Sequence, residues 1–305
     1  MFFVKNMSED SEMKVKCRAK INLSIDVLGK LPNGYHIVEM IMQSIDLYDT
    51  LDIKERNDGK IILKSKSKEI PLNESNIVYK AAELLKEKTG VKKGAEIFID
   101  KRIPVAAGMA GGSTNAAGTL VALNDMWGLG LNEEELKEIG FELGADVPFC
   151  ISGGAVLAEN LGEKLTDIKG LNDDVFVLVC KPELFVSTKE VYNKFDNSNV
   201  SKRPDNKYLI ECLKEDKIDE LAKNMCNVLE SVTSLMHPEI EDIEKIMKRS
   251  NVLGTMMSGS GPTVFGLFDS LDEAEKTRAE LLKKYKQVYL VRSAERGVEL
   301  NGKFN

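Results

Sequence analysis

The sequence predicts an α+β fold of two domains, and three observations lead to that prediction. The chain begins with alternating strand patterns, continues with several helix patterns, and closes on a helix–strand–helix–strand succession. Its 305 residues are enough for two domains with a sizeable core. The closing succession indicates a second α+β domain, so the predicted domains are residues 1–168 and 169–305, without a change of composition that would mark a linker. Residues 1–12 are predicted to be a dispensable extension.

The elements of the first domain are predicted from periodicity and from turn residues. The stretch 14–29 alternates apolar and polar residues, with Val15, Cys17 and Ala19 on one side, and indicates two strands joined by a turn. Further strands are predicted at residues 61–63, 95–99 and 155–158. Helices are predicted after Ser75 as far as Gly90, at residues 113–126, and after Asn132 as far as residue 144. Asn132 and Glu135 have the spacing of a capping box.

The elements of the second domain begin with a strand that is apolar throughout. Residues 175–179 form a nearly continuous apolar run, which is typical of a strand buried on both faces. Helical patterns are predicted at 206–230, 239–249 and 271–285, and strands at 263–268 and 288–291. This order supports an α+β second domain.

Composition and charge exclude several classes of protein. The net charge of −7 argues against a surface built for nucleic acid or for anionic lipid. The five cysteines are scattered and the chain has only two histidines, so no zinc site is predicted. The cysteines are instead predicted to be free thiols in a reducing cytoplasm. No apolar run approaches the roughly 20 residues that span a bilayer. We therefore predict a cytoplasmic protein without a nucleic-acid or membrane partner.

The most informative segment runs from Pro104 to Asn115 and reads PVAAGMAGGSTN; we call it the glycine loop. Its small residues allow close approach of the backbone to a phosphate, and the helix that follows directs free N–H groups at the anion. Ser113 and Thr114 add hydroxyls that can cap the helix, touch phosphate or reach a metal. The segment matches neither a P-loop nor a dinucleotide fingerprint. The alternative is a glycine-rich turn before a helix that Ser113 caps.

Other segments carry groups suited to phosphoryl transfer, each with a plainer interpretation. Asp146, in the segment GADVPF, could accept a hydroxyl proton, or it could simply cap a turn. Lys20, in the segment AKIN, could stabilise the moving phosphoryl group, or it could be a solvated charge on a strand. Tyr35 and His36 could stack on a heterocycle and hydrogen-bond it. The glycines and hydroxyls of residues 254–266 could close over phosphate or form a tight entry to a strand.

Taken together and in this order, these segments resemble the three signature motifs of the GHMP kinase superfamily. The segments around Lys20, Tyr35-His36 and Asp146 resemble more narrowly the pattern of the diphosphocytidyl-methylerythritol kinases. The resemblance runs from about residue 14 to residue 292. It implies a two-domain GHMP kinase fold, in which the N-terminal domain resembles ribosomal protein S5 and the C-terminal domain is ferredoxin-like. It also implies an active site between the two.

The resemblance further implies an activity, its cofactors and the roles of individual residues. The cofactors are ATP and Mg²⁺, and the substrate is a cytidine diphosphate-linked methylerythritol, phosphorylated at its 2-hydroxyl. Asp146 is implied as the catalytic base, with Lys20 as its electrostatic partner. The residues implied around ATP are Pro104, Val105, Ala106, Ala107, Gly108, Met109, Ala110, Gly111, Gly112, Ser113 and Thr114, with Asn76 near the adenine. Those implied around the substrate are Asn22, Tyr35, His36, Thr188 and Tyr192.

The chain departs from the family's pattern at a few positions of the glycine loop. Many members have glycine where this chain has Ala106, Ala107 and Ala110, and serine where it has Thr114. Alanine is small enough for the loop unless a position needs a positive φ. Two alternatives stay open from the sequence: a GHMP kinase for another alcohol, such as mevalonate or homoserine, and a silent or RNA-binding protein on this fold. The metal ligands and the oligomeric state are not predicted.

Overall fold

The computed structural model describes residues 12–300, which form twelve strands and ten helices. The strands are β1 (Glu12–Lys30), β2 (His36–Arg56), β3 (Ile61–Ser65), β4 (Gly94–Asp100), β5 (Ala155–Asn160), β6 (Lys164–Ile168), β7 (Phe176–Lys181), β8 (Cys226–Asn227), β9 (Gly254–Met257), β10 (Val264–Phe268), β11 (Gln287–Val291) and β12 (Val298–Leu300). The helices are α1 (Ile77–Thr89), α2 (Gly111–Trp127), α3 (Glu133–Leu143), α4 (Val147–Ser152), α5 (Thr188–Phe195), α6 (Asn206–Lys214), α7 (Ile218–Asn224), α8 (Glu230–Met236), α9 (Glu239–Met247) and α10 (Leu271–Leu282). Of the predicted extension, residues 1–11 lie outside the described part, and Glu12 already belongs to β1.

The larger sheet is built on two long antiparallel strands, β1 and β2. Its order is β12-β1-β2-β4-β3, and β5 with β6 continues it from β2, while β8 pairs with β1. The predicted turn within residues 14–29 is wrong, because β1 runs through that stretch unbroken. The register instead shifts at Arg18/Ala19, Asn22/Ser24 and Val27/Gly29. Such bulges bend a strand and re-aim its side chains without ending it.

Helix α2 carries the glycine loop into the core of the larger sheet. It packs against β1 and β2 and contacts α1, α3 and α4. Gly118 lets it approach closely, since a Cβ there would overlap the Cys17 sulfur. The predicted capping box of α3 is confirmed: Asn132 Oδ1 accepts from Glu135 N at 3.1 Å, and Glu135 Oε2 accepts from Asn132 N at 2.8 Å.

The smaller sheet has the order β11-β7-β10-β9, with every neighbouring pair antiparallel. Numbered within this unit, the order is 4-1-3-2, which is the ferredoxin-like arrangement. The apolar run at 175–179 is confirmed as the interior strand β7. The single helical stretch predicted for 206–230 is wrong. Asp216, at φ 55°, ends the first helical piece, and residues 226–227 leave the helical path to pair with β1 in parallel.

The final strand returns to the larger sheet, which the sequence did not predict. β12 pairs antiparallel with β1, so three residues of the predicted second domain complete the sheet of the first. The segment before it packs tightly on the end of α4: a Cβ on Gly153 would overlap Gly297, and a Cβ on Gly297 would overlap the Cys150 carbonyl oxygen. The boundary at 168/169 stays a prediction. Among the described helices, none combines the length and the apolar character that crossing a membrane requires.

Candidate active site

A cleft of about 890 Å³ collects most of the residues that the sequence singled out. Its walls come from β1, the β1–β2 turn, the glycine loop, the turn before α4, and α5. The predicted site residues that line it are Lys20, Asn22, Tyr35, His36, Gly108, Ala110, Ser113, Asp146, Thr188 and Tyr192. Residues more than 150 positions apart in the chain therefore face one space.

Lys20 and Asp146 form an ion pair at the floor of this cleft. Lys20 Nζ lies 3.9 Å from Asp146 Oδ2 and donates to Asn22 Oδ1 at 2.7 Å. The lysine is 4% exposed, so it is not a solvated edge charge. Asp146 precedes α4 but makes no side-chain capping bond, so it does not cap the helix. One carboxylate oxygen of Asp146 thus points toward a buried ammonium group.

The glycine loop reaches the cleft in a conformation that needs small residues. Ala106 and Ala110 have φ values of 51° and 56°, in the left-handed region where glycine is favoured. Two of the three positions where alanine replaces the family's glycine therefore have the positive φ that disfavours alanine. The third, Ala107, does not. Ala110 also provides no side-chain cap for α2, which leaves the first N–H groups of that helix available to an anion.

The rest of the glycine loop divides between a second cavity and the core. A cavity of about 200 Å³ is lined by Asn76, Pro104, Val105, Ala106, Gly111 and Gly112. Ala107, Met109 and Thr114 line neither cavity, and each is at most 3% exposed. The Thr114 hydroxyl has no hydrogen-bond partner among the described residues, and it lies beside the Cys150 thiol. A contact between these three residues and ATP, which stays a prediction, would have to use the main chain.

Asn76 is held by its own helix. Its Oδ1 accepts from Val78 N at 2.9 Å and thereby caps α1, while its Nδ2 donates to Pro71 O at 2.6 Å. It also lines the smaller cavity. The predicted approach to adenine is compatible with its place but would use a side-chain amide that already has two partners.

The other end of the cleft is aromatic. The His36 and Tyr192 rings lie with their centroids 4.6 Å apart and tilted by 32°. Burial, and secondarily the charge of Asp146, raises the pKa of Tyr192 to about 12, so its hydroxyl stays neutral. Tyr35, in the β1–β2 turn, is 64% exposed and free to cover a ligand. All three residues line the cleft, and we call this aromatic end of it the aromatic slot.

Sequence reasoning missed the residue that orients His36. Asp196, just after α5, lies 2.6 Å from His36 Nε2 through one oxygen and 2.5 Å from Lys30 Nζ through the other. The Lys30 bond, and after it the His36 bond, lowers the pKa of Asp196. A partner 160 positions away leaves no local signal in the sequence.

A buried polar cluster that fixes the glycine loop was also missed. Asp49, fully buried on β2, pairs with the Lys101 ammonium group and accepts from Arg102 N at 2.7 Å and Ile103 N at 2.9 Å. It also accepts from Asn115 Nδ2 at 2.9 Å. Asp49 therefore ties β2 to both ends of the loop. A lysine three positions before the loop, Lys101, was the one available hint.

The glycine-rich segment between β9 and β10 closes the cleft from the side of the smaller sheet. We call residues 258–263 the β9–β10 loop. Ser258 Oγ donates to Gly108 O at 3.1 Å, and the Ser260 and Thr188 hydroxyls lie 2.8 Å apart. Gly259 and Ser260 line the cleft. The strand that carries Lys20, the glycine loop and the β9–β10 loop thus line one cleft. The ion pair, the free N–H groups at the start of α2 and the aromatic residues all lie along that cleft.

Comparison with known proteins agrees with this arrangement. Residues 76–154 match the model of the GHMP kinases N terminal domain, and residues 209–287 match that of the GHMP kinases C terminal domain. The two matches cover just over half of the chain. Fold and site therefore define a kinase of the GHMP class.

Curated relatives narrow the class. A protein of Clostridioides difficile named 4-diphosphocytidyl-2-C-methyl-D-erythritol kinase is 62% identical, over 96% of this chain and 99% of its own. One of Alkaliphilus metalliredigens with the same name is 50% identical, over 93% and 98%. The chain belongs to the GHMP kinases and, within them, to the family of the 4-diphosphocytidyl-2-C-methyl-D-erythritol kinases.

Solved structures show the same fold. A crystal structure of 4-(cytidine 5'-diphospho)-2C-methyl-D-erythritol kinase matches 92% of this chain and 99% of its own, with a TM-score of 0.78 at 27% identity. Homoserine kinase from Cytophaga hutchinsonii matches with a TM-score of 0.75 at 18% identity, which bears on the fold alone. The predicted two-domain GHMP kinase fold is confirmed.

Proposed function

We propose that this protein transfers the γ-phosphoryl group of ATP to the 2-hydroxyl of 4-diphosphocytidyl-2-C-methyl-D-erythritol, in the non-mevalonate route to isoprenoid precursors. The observation that carries the proposal is that the Lys20–Asp146 pair shares one cleft with the glycine loop and the aromatic slot. The family supports the same reaction. The protein is a kinase that acts on a small-molecule alcohol.

The proposed chemistry divides between the two ends of the ion pair. Asp146 accepts the proton of the attacking hydroxyl, whose oxygen then bonds to the γ-phosphorus as the bond to the ADP oxygen breaks. Lys20, whose ammonium group lies 3.9 Å from Asp146 Oδ2, stabilises the charge that spreads over the moving phosphoryl group. The free N–H groups at the start of α2 hold the phosphates of ATP. Nearly all of the catalysis then comes from alignment and electrostatics.

The donor groups at the site fit Mg²⁺ bound mainly through the nucleotide. Ser113 lies at the start of α2 and lines the cleft, and within residues 12–300 no group of three or more His, Cys, Asp or Glu side chains could hold a metal alone. Mg²⁺ in such sites is held by phosphates, by water and by one or two protein oxygens. Ser113 would supply the protein oxygen, and the ion would neutralise charge on the phosphates.

The acceptor's cytosine is proposed to occupy the slot of Tyr35, His36 and Tyr192. Asp196 lies within hydrogen-bond distance of His36 Nε2 and so fixes the orientation in which the imidazole ring would meet the base. Asn22 and Thr188 line the same cleft and would place the methylerythritol. An alcohol without a base has no use for this slot, which disfavours mevalonate or homoserine as the acceptor.

The cellular location is proposed on thiol chemistry. All five cysteines are free, and four of them are buried. Free thiols are the usual state in a reducing compartment. We therefore expect the protein to act in the cytoplasm, on a small molecule.

The test of the proposed function is ADP release from Mg-ATP, measured with the cytidyl alcohol and with mevalonate and homoserine in parallel. Turnover with the cytidyl alcohol alone is expected. Turnover with a control alcohol instead would keep the kinase and discard the cytosine slot. A folded sample that binds ATP and turns over none of the three alcohols would favour a silent binding protein.

Replacing Tyr35 by alanine should raise the KM for the cytidyl alcohol about 10- to 100-fold, because stacking of a base on an aromatic ring is worth about 1–3 kcal/mol. The KM for ATP should stay within twofold, because Tyr35 lies in the β1–β2 turn and belongs neither to the glycine loop nor to the smaller cavity that Asn76 lines. Steady-state kinetics with each substrate varied in turn measures both. Tyr208→Ala is the matched control, as this tyrosine is also exposed but lies on α6 outside the cleft. An unchanged KM for the alcohol would remove Tyr35 from the slot.

A further inference from the structure

The β9–β10 loop is the one glycine-rich segment whose support the proposed mechanism does not explain. It lies between the glycine loop and the start of α5, because Ser258 bonds to Gly108 and Ser260 to Thr188. We call the start of α5, where Thr188 would contact the acceptor alcohol, the acceptor wall. The fit to the glycine loop is close: a Cβ on Gly108 would overlap the Ser258 carbonyl oxygen, and a Cβ on Gly259 would lie 2.9 Å from Gly108 O. A shift of the β9–β10 loop would therefore shift the glycine loop and the start of α2, which together we call the phosphate cradle.

Asn227 holds this loop from behind. The residue is 5% exposed, and its Nδ2 donates to two carbonyl oxygens at the start of the loop, those of Met257 and Gly259, both at 2.8 Å. Its Oδ1 accepts from Leu229 N at 3.0 Å. One side-chain amide thus satisfies three main-chain groups, and each of them would be costly to leave buried and unpaired.

The same residue is anchored to the strand that carries Lys20. Asn227 belongs to β8, which pairs in parallel with β1 opposite Ile25. Val228 N also donates to Ile25 O at 3.0 Å. The contact chain therefore runs from β1, through Asn227, to the loop that touches the glycine loop. It connects the proposed catalytic lysine with the phosphate cradle across the two sheets.

Helix α8 adds two more contacts on the same side. Glu230 Oε2 accepts from Met257 N at 2.7 Å, and Thr233 Oγ1 lies 3.4 Å from Ser260 O. The Glu230 carboxyl also faces Glu244 on α9, which pairs with Lys248 at 2.7 Å. Neither Asn227 nor Glu230 reaches the larger cleft, so both act on it only through the loop.

We propose that Asn227 and Glu230 are positioning residues of the kinase, which hold the β9–β10 loop so that the phosphate cradle and the acceptor wall keep their spacing. The proposal rests on the proposed function, because phosphoryl transfer depends on the alignment of donor and acceptor. It assigns no contact with substrate to either residue. We call the contacts of Asn227 and Glu230 with this loop the brace. If the proposal is right, removing the brace lowers kcat by more than the accompanying loss of stability can explain.

The protonation of Glu230 gives the brace a signature that simple destabilisation lacks. Burial, then the neighbouring Glu244 charge, raises the pKa of Glu230 to about 8, against the opposing effects of Met257 N–H and Lys248. Cys226 on β8 and Lys202 line the same small cavity behind Glu230. The neutral carboxyl can donate to Glu244 while it accepts from Met257 N. Above pH 8 two carboxylates face each other between α8 and α9, and their repulsion moves Glu230 from its place beside Met257 N.

The direction of the pH effect follows from the raised pKa. The folded protein keeps Glu230 protonated up to about pH 8, whereas the unfolded chain ionises near its ordinary value of 4.5. The stability that this group contributes is fully present below about pH 4.5 and is lost as the pH rises to about 8. A Glu230→Gln variant accepts from Met257 N and donates to Glu244 at every pH. It should therefore lack this loss.

The first experiment compares Asn227→Ala with Asn124→Ala. Asn124 is a matched control, because its side chain also bonds the backbone of a loop, at Leu131 N and O, away from the cleft. We expect Asn227→Ala to lower kcat at least tenfold and to weaken ATP binding about fivefold, while both variants lose a similar amount of thermal stability. Equal kcat values in the two variants, or a wild-type kcat in Asn227→Ala, would overturn the proposal.

The second experiment covers the case in which Asn227→Ala does not fold. With a pKa of about 8, about nine-tenths of Glu230 is ionised at pH 9, so the ratio of kcat in Glu230→Gln to that in wild type should rise about tenfold between pH 7 and pH 9. Glu230→Ala, which cannot accept from Met257 N, should lower kcat at pH 7, and Glu230→Gln should restore it. A flat ratio, or a Glu230→Ala variant as active as wild type, would overturn the role of Glu230.

A direct binding measurement separates this proposal from the proposed function. ATP affinity, measured by calorimetry without any alcohol, depends on the spacing of the two loops and not on the identity of the acceptor. Weaker ATP binding in Asn227→Ala, with no turnover of the cytidyl alcohol by wild type, would keep the brace and discard the acceptor. Unchanged ATP binding in a folded Asn227→Ala variant, with turnover by wild type intact, would keep the function and discard the brace.

Discussion

Replacing Asp146 by asparagine should lower kcat about a thousandfold and leave the dissociation constant for ATP within twofold. The amide keeps the shape of the carboxylate but cannot accept the proton of the attacking hydroxyl, and general-base catalysis contributes about 10²–10⁴-fold. Thermal stability should fall only modestly, because Asp146 makes no capping bond whose loss would weaken α4, and buried Lys20 keeps its bond to Asn22 when its counter-charge is lost. Stopped or coupled assays of ADP release, with calorimetry for ATP, measure the two quantities.

Asp205→Asn is the matched control for this experiment. Asp205 caps α6 by accepting from Tyr208 N at 3.0 Å, a bond that an asparagine can also make. Its replacement should leave kcat unchanged. The partner's role can be tested in a double variant with Lys20→Met: because the two groups lie 3.9 Å apart, their effects on kcat should combine to less than the product of the single effects. Wild-type turnover in Asp146→Asn would remove Asp146 from the mechanism.

Replacing Gly108 by alanine is expected to destabilise the protein by about 2–5 kcal/mol and to lower kcat/KM for ATP at least a hundredfold. Gly108 has a φ of 72°, and a left-handed conformation costs other residues about 1–2 kcal/mol. The added Cβ would also overlap the Ser258 carbonyl oxygen, and overpacking typically costs about 1–3 kcal/mol. Urea unfolding measures the stability, and kinetics with ATP varied measures the loss of function.

Gly29→Ala is the control, since Gly29 has no left-handed φ and an added Cβ would meet no atom within 4 Å. It should leave both stability and kinetics close to wild type. If Gly108→Ala bound ATP normally, the glycine loop and the β9–β10 loop would have to separate without consequence. That result would contradict the close fit on which the arrangement of the cleft depends.

The sequence predicted most helices and strands and the reactive residues of the site. It did not predict how deeply those residues are buried or which distant residues they contact. Lys20 and Asp146 were predicted from short motifs, and they do meet; their roles stay predictions until the variants are measured. The burial of Lys20 was not predictable, because the strand alternation around it places a polar side chain outward. Bulges in β1 change that alternation, and they depend on the register with β2 and not on the residues of one strand.

Two further features were invisible for the same reason. The effect of Ala106 and Ala110 depends on φ, which the packing of the loop determines, so composition alone could state only the condition. Asn227 lies in a stretch with a helical pattern, and its role arises from pairing with β1, about 200 positions away. In each case the decisive partner is distant in sequence, and a periodicity of two or of 3.6 carries no information about it.

The return of β12 to the larger sheet has a consequence for the order in which the protein becomes active during synthesis. Gly297 packs on Gly153 and Cys150 at the end of α4, the helix that follows Asp146, and Gly297 O accepts from Arg18 N at 2.8 Å. These contacts join residues made early to residues made late, and such distant pairings form last on a growing chain. A nascent chain can therefore assemble most of both sheets before it has a finished catalytic centre. We therefore expect a chain that stops before residue 297 to release ADP more slowly than the 305-residue chain, because the contacts behind α4 are missing.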